Sequence, residues 1–210
     1  PAQVLKIDQS FVRDMLVDPD DLTIVEGIVG LAHAFGRTVI AEGVETVEHG
    51  ELLLRLGCDL AQGYGVARPM PIGALITWMA QWQAPPSWLA LRHKVPHRND
   101  LPMALAEVEH RQWVSMVERV IDDPSAPPPV WDVAESKFTQ ALAGLAQGDH
   151  PATTQLKAEL RQLHDQVHTS GLHLMSLAQK GQDAEACQAA REQMQRATAA
   201  LIQRLRSLAD

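Results

Sequence analysis

The chain has 210 residues, 46% of them hydrophobic and 21% charged, with a formal net charge of -8. Such a composition suits one large or two small packed domains and excludes a disordered chain. It shows no basic stripe for nucleic acid, no apolar run long enough to cross a bilayer and no opening that reads as a signal peptide.

A small anionic ligand stays open, because metal ions can hold phosphates locally against an unfavourable net charge. Cys58 and Cys187 lie far apart and define no disulfide framework, so a reducing cytoplasm is the expected location. The chain starts "PAQVLKID", without a methionine and already inside a strand-like pattern, and is read as a piece of something longer.

The first region alternates strand and helix patterns. "QVLKID" is a short apolar strand. "DPDDLTIVEGIVGLAHAFG" has acidic residues at its start, apolar Leu22, Val25, Ile28, Val29, Ala32 and Phe35 at helical spacing, and Gly36 to end it. "RTVIAEG" is the next strand, "TVEHGELLLRLG" the next helix, and "CDLAQGYG" a third strand. This order predicts parallel βα units, whose working face lies where the strands end. Lys6 and Asp8 close the first strand, Glu42 the second and Gln62 the third.

The stretch "QWQAPPSWLALRHKVPHRNDLP" has no clean periodicity and is read as a boundary, with a linker over 89–102 between domains at 1–88 and 103–210. Beyond it every segment is helical in pattern. Residues 103–122 place Leu105, Val108, Trp113, Val117 and Val120 on one side. "DDPSAPPPVWD" is read as a stiff connector. Residues 132–147 carry Phe138, Leu142 and Leu145, and residues 152–179 carry Leu156, Leu160, Leu163, Val167 and Met175. Residues 183–208 repeat Cys187, Ala190, Met194, Ala197, Leu201, Leu205 and Leu208 near heptad spacing. Amphipathic helices with short connections predict an antiparallel four-helix bundle, so the fold class is α/β plus all-α.

Three histidines point toward that bundle's interior. His164 and His168, four residues apart, share a face with Leu160, Gly171 and Met175, and His110 aligns with Trp113, Val117 and Ile121. Inward imidazoles need partners, and a shared divalent ion, with zinc suited to nitrogen ligands, would serve all three. The alternative places them at helix edges in contact with water. His150 and His173 are read as solvated.

"LKIDQSFV", "VIAEGVET" and "GCDLAQGYGVARPMP" together resemble the consecutive C-terminal motifs of the bacterial EAL domain, a cyclic-di-GMP phosphodiesterase. The resemblance covers residues 1 to about 88. It implies the closing βα units of a TIM-like barrel truncated at its N-terminus, without the Glu-Ala-Leu signature, the asparagine and glutamate ligands or the Asp-Asp pair. It further implies that Lys6 orients the attacking water and that Glu42 acts as general base or as a ligand to Mg²⁺ or Mn²⁺. Gln62 would position water or substrate, and Glu45 would hold the active-site loop. Asp8 would be structural support.

The helical region resembles the chemoreceptor zinc-binding (CZB) domain. "HRQW" supplies His110 and Trp113, and "HDQVH" supplies His164 and His168. The middle motif is degraded: in "SKFTQAL", Ser136 stands in the place of the family cysteine, Thr139 for its glycine and Ala141 for its tryptophan. A hydroxyl is a poor zinc ligand beside a thiolate, so the resemblance implies a site with weaker zinc binding, a water ligand or no metal at all.

The expected function is hydrolysis of cyclic-di-GMP to linear pGpG by two-metal cleavage in the intact parent protein, tuned by a zinc-sensing, dimerising bundle. This piece alone is expected to be inactive. A different reading is a catalytically degenerate EAL receptor that binds cyclic-di-GMP and signals through the bundle. A further one makes the helical region only a homodimerisation module.

Overall fold

The computed structural model describes residues 2–91, 100–123, 125–129, 136–145, 151–180 and 184–208. The chain divides between residues 98 and 99 into a strand-bearing unit and a helical unit.

In the first unit, β1 (Val4–Ile7), β2 (Thr38–Glu42) and β3 (Leu60–Gln62) form a parallel sheet in the order β1-β2-β3. Lys6 lies opposite Ile40, and Glu42 lies opposite Gln62. Because side chains alternate across a strand, Lys6, Glu42 and Gln62 share one face of the sheet. Ile7, Val39 and Ala41 face the other way and are buried, under the helices that follow β1. The face carrying the polar trio is open in this chain: Val4 and Leu60 are 44% and 47% exposed. Parallel neighbours joined by helices match the predicted βα units, and the described strands form an open sheet, not a closed barrel.

The helices that connect the three strands start on side-chain caps. Asp8 accepts the Ser10 N–H at 2.8 Å and opens α1 (Gln9–Asp14), a helix the periodicity did not predict. That bond holds the Asp8 carboxyl below its ordinary value. Asp18 caps α2 (Pro19–Ala34), with Pro19 in the first turn. Leu22, Val25, Val29 and Ala32 are buried as their spacing predicts, whereas Phe35 is 67% exposed. The helix has ended before Phe35, which therefore leaves the buried stripe.

In α3 (Val47–Leu56), Thr46 and His49 form a reciprocal capping box, with histidine in the position usually held by Glu or Gln. The stretch read as boundary holds more structure than predicted. Helix α4 (Ile72–Gln81) lies ahead of it, and α5 (Pro86–Leu91) lies inside it. The segment "IGALITWMAQ" carries no charge, so it offers no apolar–polar contrast from which to read a helix face. The indole of Trp88 donates to the Val47 carbonyl at 2.8 Å and lies against Gly50, which fixes α5 on α3.

The helical unit comprises α6 (Asp100–Asp122), α7 (Lys137–Gly144), α8 (Pro151–Gln179) and α9 (Ala184–Arg206) among the described residues. The predicted linker over 89–102 thus overlaps the end of α5 and the start of α6. The ends of the predicted 132–147 helix, and His150, lie outside the described residues. Trp113, Val117, Phe138, Leu142, Leu160, Val167, Met194 and Leu201 share one buried core. Leu105 and Val120, predicted inward, are only half-buried. Arg206 of α9 holds buried Glu107 of α6 by a forked contact of 2.7–3.1 Å, and Arg111 joins the same carboxylate at 3.0 Å. Among the described residues no helix is long and apolar enough to cross a membrane.

Candidate functional site

Among the described residues two places concentrate chemistry, one in each unit. In the strand unit, Lys6 Nζ forms an ion pair with Glu42 Oε1, and the Gln62 amide donates to the same oxygen at 3.4 Å. Three successive strand ends therefore converge on one carboxylate. A cavity of about 470 Å³ opens there, lined by Gln9, Glu42, Glu45, Gln62, Tyr64 and Arg68 among others. Lys6 is not among its lining residues; it reaches the site through Glu42.

Glycines lock the two loops that shape this cavity. Gly43 has φ +75°, and a Cβ there would stand 2.6 Å from the Gln9 Cβ. Gly63 runs so close to the Val44 backbone that any side chain would overlap it. The Val44 N–H donates to the Gln62 carbonyl at 3.1 Å, and the Gly65 N–H donates to the Val44 carbonyl at 2.8 Å. The loop after Glu42 and the turn after Gln62 are thereby zipped together. Glu45 lines the cavity from this junction, an exposed carboxylate on a pinned loop. Tyr64 and Arg68 were not singled out from the sequence: each is an unremarkable loop residue until the turn folds one over the other, with the Arg68 guanidinium 4.8 Å above the Tyr64 ring.

In the helical unit, His110, His164 and His168 come together, and one ligand atom from each lies within 4.8 Å of the others. His110 is fully buried, between Ala106 and Trp113 on the inward stripe of α6. Its Nδ1–H donates to the Ala106 carbonyl at 2.6 Å, because a carbonyl can only accept. The neutral ring therefore keeps its lone pair on Nε2. His164 pairs Nδ1 with the Asp165 carboxylate at 3.2 Å, which favours the same tautomer. Burial pushes His110 down to about 4 and His168 down to about 3, the latter helped by the neighbouring imidazoles, and burial lowers His164 as well. All three rings are neutral at pH 7, the state in which imidazole binds a metal.

Packing holds these rings in place. Phe138 stacks on His164 with centroids 4.4 Å apart, and Trp113 lies 4.2 Å from His168. Gly171 gives Trp113 its room, since a Cβ there would come within 2.5 Å of the indole. Ser136 is committed elsewhere: it donates to Glu109 Oε2 at 3.0 Å and accepts the Phe138 N–H at 3.2 Å as the cap of α7. Glu109 also accepts the Lys137 and Phe138 N–H groups, at 3.0 and 3.2 Å. Neither Phe138 nor Glu109 was readable as a site residue, because both depend on α7 meeting α6. His173, expected to be solvated, is exposed.

Comparison with known proteins bears on the strand unit. Residues 1–69 match the model of the EAL domain, a span that contains Lys6, Glu42, Glu45, Gln62, Tyr64 and Arg68. The bifunctional diguanylate cyclase/cyclic di-GMP phosphodiesterase MucR of Pseudomonas aeruginosa is 44% identical over 80 residues, 38% of this chain and 12% of that protein. The cyclic di-GMP phosphodiesterase RocR of the same organism is 42% identical over 71 residues, 34% of this chain and 18% of that protein. The oxygen sensor protein DosP of Escherichia coli is 39% identical over 80 residues, 38% of this chain and 10% of that protein. The chain thus spans less than a fifth of the length of each of these relatives. The strand unit, on the very residues that build the cavity, is similar to an EAL domain.

Proposed function

We propose that residues 1–88 contribute the closing part of a site that hydrolyses cyclic-di-GMP to linear pGpG, and that the helical unit is a zinc-responsive, dimerising module that tunes it. One observation carries the first half: Lys6, Glu42 and Gln62 converge on one sheet face beside one cavity. Cleaving a phosphodiester requires an activated water and relief of charge building on phosphorus. A pair of Mg²⁺ or Mn²⁺ ions supplies both when bound.

The half-buried Glu42 carboxylate is a hard oxygen donor and fits one ligand position or the role of general base. Lys6 pairs with Glu42 and has an ammonium donor to orient the attacking water. The Gln62 amide, now on Glu42, can turn to a substrate oxygen or to that water. Glu45 belongs to the loop that keeps Glu42 in place. The other ligands come from residues beyond these, so the 210-residue chain alone is expected to be inactive.

For the helical unit, three neutral imidazoles with clustered ligand atoms fit Zn²⁺, a nitrogen-seeking ion. Ser136 is engaged with Glu109 and Phe138, which leaves the fourth position to water. Bound zinc would tie α6 to α8. Coupling to turnover then requires zinc to favour one of two states of the protein.

Turnover of cyclic-di-GMP by the full-length protein with Mg²⁺ or Mn²⁺, beside Glu42→Ala, tests the hydrolase. The wild type should release linear dinucleotide, and the variant should lose about a hundredfold or more. Binding without turnover would make the protein a receptor. Zinc content after chelation and reloading should fall in His164→Ala and His168→Ala, and a variant that keeps its zinc defeats that half.

A further inference from the structure

We infer that Arg68, laid across Tyr64, is a guanine-recognition residue of the cavity that holds Glu42 and Gln62; this rests on the phosphodiesterase reading above. Both residues line that cavity, and the guanidinium carbon sits 4.8 Å from the Tyr64 ring centroid. A cation stacked on an aromatic face loses freedom, and its N–H fork is held in one plane.

The turn that carries the pair is itself fixed. The Val66 and Ala67 N–H groups both donate to the Gly63 carbonyl, at 3.0 and 2.9 Å, and the Gly65 N–H is tied to Val44. Arg68 therefore enters the cavity from a rigid turn, four residues along the chain from its own platform. Lys6, Glu42 and Gln62 are committed to the scissile phosphate and its water, which leaves Arg68 for a part of the substrate away from the reacting bond.

The substrate's remaining distinctive groups are its bases. Guanine presents two acceptors, O6 and N7, on one edge, and a planar arginine fork meets both. Adenine presents an acceptor beside a donor there, so the same fork leaves a mismatch. The exposed Tyr64 ring and the exposed, planar Arg68 guanidinium also offer a flat surface on which a base can stack. Arg68 thus sets the preference for a guanine dinucleotide.

The test is steady-state kinetics of the full-length protein with cyclic-di-GMP and cyclic-di-AMP, for wild type, Arg68→Ala and Arg68→Lys. Lysine keeps the charge but loses the fork. Both variants should raise KM for cyclic-di-GMP about 10- to 100-fold with kcat nearly kept, and should erode the preference over cyclic-di-AMP to a similar degree. Wild-type values in Arg68→Lys would place the residue on a phosphate and overturn the assignment. A loss confined to kcat would overturn it too, as would an unchanged base preference in Arg68→Ala. A wild type that neither binds nor cleaves cyclic-di-GMP would instead defeat the underlying phosphodiesterase reading.

Discussion

The two units set their polar chemistry in opposite surroundings. In the strand unit, Lys6, Glu42 and Gln62 hang from strand ends on an open sheet face, where water still reaches them and their cost to folding is small. In the helical unit, His110 is fully buried, and the half-buried rings of His164 and His168 lie against it. A polar group at a strand end is ordinary, and only the convergence of three of them on one carboxylate is informative. A buried imidazole is costly by itself, so each one in the helical core calls for a compensating partner. Placement, more than residue type, decides how much a polar residue says about function.

The largest effect that could break this contrast is in packing. Leu160→Ala, at a fully buried position of α8, should cost about 2–5 kcal/mol in urea unfolding of the helical unit. Leu60→Ala, at a half-exposed position of the open sheet face, should stay within about 0.5 kcal/mol in the same chain. If Leu60→Ala costs the larger amount in the full-length protein, other segments cover that face there.

Acid should next separate the units. In the metal-free protein the unfolded chain's imidazoles titrate near 6.5, whereas His110 is held down at about 4 and His168 at about 3. Between those values the unfolded state binds protons that the native state refuses, so stability falls as the pH drops through that window. Urea midpoints of the helical unit, with chelator present, should be lower at pH 5 than at pH 7.5. An unchanged midpoint would mean that the imidazoles already reach water.

The smallest change sharpens the role of the serine. Ser136→Ala removes the cap of α7 and one donor to Glu109, which should cost about 1 kcal/mol in thermal unfolding. Zinc content should stay the same in this variant, because its hydroxyl is engaged with Glu109 and the Phe138 N–H.

Much of both sites was legible before any fold was known. Short apolar runs set between helical patterns and ending in Lys6, Glu42 and Gln62 identify strand ends, since strand–helix–strand order with short connections predicts parallel βα units. His164 and His168, one turn apart beside an apolar stripe, announce a shared inward face. The exposure of Phe35 was missed because its spacing continues the helix while the backbone does not. Helices α4 and α5 were missed because an uncharged apolar segment and a proline-rich one show no contrast of faces.

Local spacing by itself thus determined the three strands, the amphipathic helices and which of their faces carry chemistry, because periodicity along one strand or helix is a property of adjacent residues. The short or uncharged helices α1, α4 and α5 lay outside its reach. Tertiary structure alone decided who meets whom. Phe138 stacks on His164, Glu109 caps α7 and Trp113 fills the space beside Gly171 only once separate helices pack. Arg68 covers Tyr64 only because glycines let the Gln62 turn close onto the Glu42 loop. Contacts between residues far apart in sequence depend on close packing, whose steric demands no single segment records.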